Sequence, residues 1–163
     1  MILRPPAVDD AAAVLALNAE FVDYLSPMDA DRWALLSAAA TFPRIVSIEG
    51  VVAAFTLVFS PEDVYDSANF AWFHEKYARF WYLDRIVVGA DFQRRGIGQV
   101  IYDAAESGAL AAGQQRLVCE VNAFPANDGS LAFHAQRGYV EVGRRGTEAG
   151  GKVVAMLAKE LGS

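Results

Sequence analysis

The chain has 163 residues, a formal net charge of −6 and a pI of about 4.8. That balance offers no basic face for a nucleic-acid backbone and no polybasic patch for an anionic membrane. Hydrophobic residues make up 54% and charged residues 21%, as expected for one folded domain spanning residues 1–163 with a sizeable core.

The one cysteine, Cys119, allows no intrachain disulfide, which fits a reducing compartment. The opening "MILRPPAVDD" has no apolar signal core, and no apolar run approaches membrane-spanning length. A soluble cytoplasmic protein is the expectation, and a homodimer is compatible with it.

In chain order, Met1–Arg4 reads as an edge strand stopped by Pro5 and Pro6. Asp9 or Asp10 is placed to cap a helix through "AAAVLALNAEFVDYL", where Val14, Leu17, Phe21 and Leu25 recur at helical spacing. Ser26–Pro27 breaks that pattern, and Asp29 opens a second helix. "RIVSIEGVVAAFTLVF" reads as two strands joined at Glu49–Gly50. "SPEDVYDSANFAWFHEKYAR" has no clean period and is expected to be a long functional excursion with one helical turn.

"FWYLDRIVV" is a strand. Gly96 to Ala112 is a helix with Val100, Ala104 and Leu110 on its apolar side, ended by Gly113. "RLVCEVNAF" is a strand, and Asn127 introduces a short helix that stops at Gly138. "YVEVGRR" and "KVVAMLAKEL" are two last strands joined by a Gly-rich turn. The order β-α-α-β-β-β-α-β-α-β-β implies an α/β or α+β sandwich with a mixed sheet.

Between strand and helix, "VVGADFQRRGIG" has the character of a phosphate loop, because its backbone N–H groups can converge on one anion. A Walker A loop needs G-x-x-x-x-G-K-[ST], which the chain lacks. A dinucleotide fingerprint needs a small third residue where this chain has Ile101. A third pattern, Q/R-x-x-G-x-G/A, is met by Gln93, Arg94, Arg95, Gly96, Ile97 and Gly98.

That pattern resembles the pyrophosphate loop of the GNAT superfamily of N-acetyltransferases. "VNAFPANDGSLAFHAQRGYVEVG" is similar to the family's stretch in which Asn precedes a short helix ending in Gly-aromatic. The resemblance implies a central, mostly antiparallel mixed sheet of about seven strands, helices on both faces and a splayed central pair. The splayed strands are Phe80–Val88 and Arg116–Ala123. It also implies acetyl-CoA as acyl donor and a primary amine as acceptor.

On that resemblance the cofactor is held by the backbone of Ile86, Val87 and Val88 and by the amides from Arg94 to Gln99. Asn127, Ser130 and His134 share one helical face toward the cofactor. The Ile86 N–H is the candidate for the thioester oxyanion. The acceptor ammonium must lose a proton, and Asp84, two residues before Ile86, is the candidate base. Its plainer role is an ion pair with Arg85. Glu120 is the reserve base, with partnership to a surface Lys or Arg as its plainer role.

His134 stands where the family often carries a Tyr that protonates the leaving thiolate. It is therefore either a general acid or only a cofactor contact. His74 has no ligating companions, so no metal is expected. Cys119 reads as a buried inert thiol.

Asn18, Phe21, Tyr65, Asn69, Trp72, Phe73 and Tyr82 are the candidate acceptor-pocket residues, since aromatic walls suit a small apolar or cationic amine. Three readings stay open. They are a small-molecule amine acetyltransferase, a protein or peptide N-acetyltransferase, and a non-catalytic acyl-CoA sensor.

Overall fold

In the computed structural model, which describes residues 1–147 and 151–162, seven strands form one sheet in the order β1-β2-β3-β4-β5-β7-β6. The strands are β1 (Ile2–Arg4), β2 (Phe42–Ile48), β3 (Val51–Phe59), β4 (Trp81–Val88), β5 (Arg116–Phe124), β6 (Val140–Gly146) and β7 (Val153–Glu160). All neighbours pair antiparallel except β4 and β5. Of the expected Gly-rich turn between β6 and β7, residues 148–150 lie outside the described residues.

Among the described residues, five α-helices cover the sheet. On one face, α1 (Ala11–Glu20), α2 (Ala30–Ala39) and α3 (Ala68–Lys76) bury Val14, Trp33 and Phe73 against Phe55, Leu57 and Phe59. On the other, α4 (Ile97–Ala111) and α5 (Asp128–Gln136) pack over Leu117, Cys119 and Leu157. The mixed sheet with helices on both faces is the architecture expected from the sequence.

Local chemistry explains where the elements start and stop. Glu49 and Gly50 both take positive φ, 51° and 79°, as a tight hairpin turn between β2 and β3 requires. Asp29 accepts from the Arg32 N–H at 2.8 Å and caps α2. Asp10 stands at the start of α1 without capping it. Its carboxylate instead takes Arg4 at 2.7 and 2.9 Å and the Ala7 N–H at 2.6 Å.

Three expectations are corrected. The first helix ends at Glu20, not Leu25, and the chain turns at Phe21 because buried Asn18 donates to the Ser26 carbonyl at 3.0 Å. The excursion holds a nine-residue helix, α3, rather than one turn. Ser67 caps it by accepting from the Phe70 N–H at 3.2 Å, and Phe70 and Phe73 anchor it.

The third correction concerns α4. Its buried stripe is Ile97, Ile101, Tyr102, Ala105 and Ala109, while Val100 and Leu110 are exposed. The i, i+4, i+8 row that starts at Ile97 wins over the row that starts at Val100.

Two further features hold the frame around the centre. Gly143 sits where β6 shifts register against β7, and a Cβ there would lie 2.5 Å from the Trp72 ring. The absence of a side chain therefore lets α3 seat against β6. Arg137, at the end of α5, pairs with Asp103 at 2.8 Å and Glu106 at 3.1 Å on α4. Lys159 of β7 meets the same Glu106 at 2.8 Å, so α4, α5 and β7 are tied together.

Candidate active site

β4 and β5 touch only at their beginnings. Trp81 pairs with Leu117 and Tyr82 with Val118, and no ladder pair follows. At that point β4 carries a bulge. Leu57 opposes Arg85 and Val58 opposes Leu83, which leaves Asp84 as the extra residue. A bulge bends its strand and re-aims its side chains. β4 then stays with β3 as far as Val88, and β5 stays with β7, so a gap opens between them.

The gap is the floor of a cavity of about 1090 Å³. One half is walled by Ile86, Val87 and Val88, by the loop after β4, and by Asn127, Ser130 and His134 of α5. The other half is walled by Phe21, Leu25, Tyr65, Asn69, Asp84 and Glu120.

The loop after β4 is shaped for an anion. Arg94 at φ 63° and Gly96 at φ 77° turn the chain left-handed on either side of Arg95. Such alternation points successive N–H groups into one hollow. The Val100 N–H reaches Gly96 O at 3.1 Å, while the N–H groups of Ile97, Gly98 and Gln99 lie in the unpaired first turn of α4. The positive end of α4 adds to the field there.

Gln93, Arg94, Gly96, Ile97, Gly98 and Gln99 all line the cavity. Arg95 does not, since its guanidinium lies 5.3 Å from the Phe92 ring centroid. These donors fit a pyrophosphate, the group that coenzyme A carries.

Asp84 has both oxygens engaged. Oδ2 takes Arg85 Nε at 2.7 Å; Oδ1 takes the Tyr65 hydroxyl at 2.6 Å, and the Tyr82 oxygen lies 3.4 Å from it. The Asp84 and Arg85 side chains are both only 7% exposed. The plainer role foreseen for Asp84, an ion pair with Arg85, is therefore present. Burial, then the Asp84 charge, holds the Tyr65 phenol far above its ordinary value, so it stays a donor.

Glu120 has a different environment. Oε1 accepts from the Tyr82 hydroxyl at 2.9 Å and from Asn69 Nδ2 at 3.0 Å. Oε2 is buried and has no hydrogen-bond partner. Burial, with repulsion from Asp84 second, pushes the carboxyl up to about 8. Among the described residues no surface Lys or Arg pairs with it, and its plainer role expected from sequence is corrected.

A signal for this was present in the sequence. In "RLVCEVNAF" a lone carboxylate interrupts the apolar run of a central strand, where most side chains are buried.

His134 is 4% exposed. Nδ1 lies 2.7 Å from the Ser130 carbonyl, which can only accept, so Nδ1 carries a hydrogen. Nε2 then accepts from the Tyr102 hydroxyl at 2.5 Å. Burial, helped by the charge of Arg137, depresses the His134 pKa and keeps the ring neutral near pH 7. A neutral ring whose N–H is bound to a carbonyl has no proton to give, so this geometry argues against an imidazolium acid. Tyr102, which sequence reading left unassigned, supplies the hydroxyl on this wall.

The seven acceptor-pocket candidates divide. Phe21, Tyr65 and Asn69 line the cavity. Asn18, Trp72, Phe73 and Tyr82 do not. Asn18 accepts from Arg85 Nη1 at 3.1 Å, Phe73 is wholly buried, and Trp72 packs on β6. Tyr82 contributes only through its hydroxyl. Cys119 is buried, and burial pushes its thiol well up. Among the described residues no group of His, Cys, Asp or Glu could hold a metal ion.

A splayed sheet with an anion hollow at the mouth of the gap defines the fold class of the GNAT acetyltransferases. The family model described as "Acetyltransferase (GNAT) family" matches residues 12–139, and the chain belongs to that family of enzymes. No curated protein matches the sequence significantly.

Solved structures share the fold at low identity. The ribosomal-protein-S18-alanine N-acetyltransferase from Escherichia coli is 18% identical with a TM-score of 0.74, covering 99% of this chain and 94% of that one. A protein assigned as a phosphinothricin N-acetyltransferase is 19% identical with a TM-score of 0.76, covering 99% of both. Naa20 from Chaetomium thermophilum, in complex with a bisubstrate analogue, is 14% identical with a TM-score of 0.77, covering 99% and 87%.

Proposed function

We propose that this acetyltransferase moves the acetyl group of acetyl-CoA to a primary amine on a small molecule, with Glu120 as the base. The observation that carries the reading is the buried, unpartnered Oε2 of Glu120 at the gap between β4 and β5. A carboxyl raised to about 8 is matched to taking a proton near neutral pH. Acetyl-CoA supplies the activated acyl thioester. The Ile97–Gln99 amides hold its pyrophosphate, and the unpaired edge of β4 beyond Tyr82 holds its arm and offers the Ile86 N–H to a developing oxyanion.

Asp84 sets the field around that base. Its charge, neutralised by Arg85, orients Tyr65 and Tyr82, and Tyr82 in turn fixes Oε1 of Glu120. A small acceptor is favoured over a peptide because the segment leading into α3 lines the acceptor half of the cavity. Arg32 of α2 reaches Asp66 at 2.5 Å, which pins the segment leading into α3 across the rim. Tyr65 and Asn69 from that segment then wall the cavity.

The pH dependence of kcat/KM tests the assignment. The profile should rise through about pH 8 as Glu120 ionises and show no falling limb from His134 at neutral pH. Asp84→Asn removes the repulsion that helps raise Glu120, so the rising limb should move to lower pH while turnover survives. Breaking the buried pair also costs about 3–5 kcal/mol, so the assay belongs at low temperature. Loss of the limb together with turnover would make Asp84 the base.

A further inference from the structure

The charged groups of the acceptor half do not cancel, and the remainder describes the acceptor. Arg32 is paired with Asp66 and Arg85 with Asp84. Arg145 and Lys152 also line the cavity, and among the described residues neither makes an ion pair. Both come from the β6–β7 arm, where Arg145 lies opposite Val154 in the ladder and Lys152 immediately precedes β7.

Arg145 is linked to the proposed base through one side chain. Its Nη1 donates to Asn69 Oδ1 at 2.7 Å, and Asn69 Nδ2 donates to Glu120 Oε1 at 3.0 Å. The Asn69 amide is therefore oriented from both ends. Cation and carboxyl are held apart by two hydrogen bonds and one amide group. Lys152 donates to the Asp23 carbonyl at 3.3 Å and lines the same cavity.

We infer that the acceptor is a small zwitterion, an amine whose own carboxylate or other oxyanion lies a few bonds away, as in an amino acid. This rests on the amine acetyltransferase reading above. The acceptor's amine meets Glu120 and its anionic group meets the open side of the Arg145 guanidinium. A planar fork of donors suits a carboxylate better than a point charge does. A purely cationic amine would enter a pocket half that already holds two cations with no ion pair among the described residues, and the field would oppose it. An aromatic-walled pocket for a small apolar or cationic amine, the expectation from sequence, has no use for them.

The test uses matched acceptors with acetyl-CoA: amino acids, their amides, and the amines left when the carboxyl group is removed. Thiol release gives kcat/KM for each. In the wild-type protein the carboxylate-bearing member should be favoured by about 10- to 100-fold, the range of a charge-assisted pair. Arg145→Gln should collapse that preference toward one, and Lys152→Gln should reduce it by a smaller factor.

An unchanged acetyl-CoA-induced rise in melting temperature certifies that each variant is folded. Turnover of the amide or the decarboxylated amine equal to or faster than that of its amino acid overturns the inference and leaves the amine acetyltransferase reading standing. So does an Arg145→Gln enzyme that keeps the preference. Thiol release from no member of any set, with cofactor still bound, overturns both.

Discussion

Gly96→Val should abolish the rise in melting temperature that acetyl-CoA produces. A ligand present at a hundred times its dissociation constant stabilises a fold by about 2.7 kcal/mol. For a chain of this size that is a shift of about 5–11 °C, at about 2–4 °C per kcal/mol. Gly96 holds φ at 77°, where a β-branched residue is a strong outlier. A valine would relax toward negative φ and swing the Ile97 amide out of the anion hollow.

The fold itself should survive, because a Cβ at Gly96 meets nothing within 4 Å. Far-UV circular dichroism should therefore be unchanged while the cofactor shift disappears. A variant that keeps the full shift removes the loop from cofactor binding.

Glu120→Gln should lower turnover by about 10²–10⁴-fold, the usual contribution of a positioned base. The same change should stabilise the protein at alkaline pH. The folded pKa of Glu120, about 8, lies above its unfolded value of about 4.3. Between those values the folded chain binds the extra proton, so the native state is favoured most below pH 4 and loses that advantage as pH rises toward 8.

Glutamine carries no charge at any pH and removes the loss. The melting temperature of Glu120→Gln should match wild type below about pH 4 and exceed it by a margin that grows up to about pH 8 and then levels off. A margin that stays flat with pH would mean that Glu120 is not held protonated by its surroundings.

What could be read from the sequence was what local chemistry dictates. The Glu49–Gly50 turn, the strand-loop-helix around Gln93–Gly98 and the Asn127 start of α5 each depend on a few adjacent residues, and all are present. Asn127 caps α5 by accepting from the Ser130 N–H at 3.3 Å.

What could not be read depended on packing. Phe70 and Phe73 make α3 a helix because the core of α1, α2 and β3 receives them, not because their spacing is strongly periodic. Tyr102 faces inward because α4 is rotated to bury Ile97 and Ile101, and that places its hydroxyl on His134. The hydrogen-bond partner of His134 Nε2 thus lies 32 residues away in the chain.

The two carboxylates show the same limit. Asp84 and Glu120 look alike in sequence, each inside a β-prone run. The β4 bulge aims Asp84 at Arg85 and Tyr65, while Glu120 shares Oε1 between Tyr82 and Asn69 and leaves Oε2 bare. Sequence assigns neither Arg145 nor Lys152 to the site, because only the antiparallel return of β6 and β7 brings them to the cavity.

Thiol release from acetyl-CoA, followed with a panel of amino acids, simple amines and short peptides, tests the central claim most directly when wild type and Glu120→Gln are run side by side at pH 8. The account predicts release that depends on a small amine and is lost in Glu120→Gln, although both proteins show the acetyl-CoA thermal shift. Cofactor binding without release from any amine, or release that Glu120→Gln leaves intact, would contradict it.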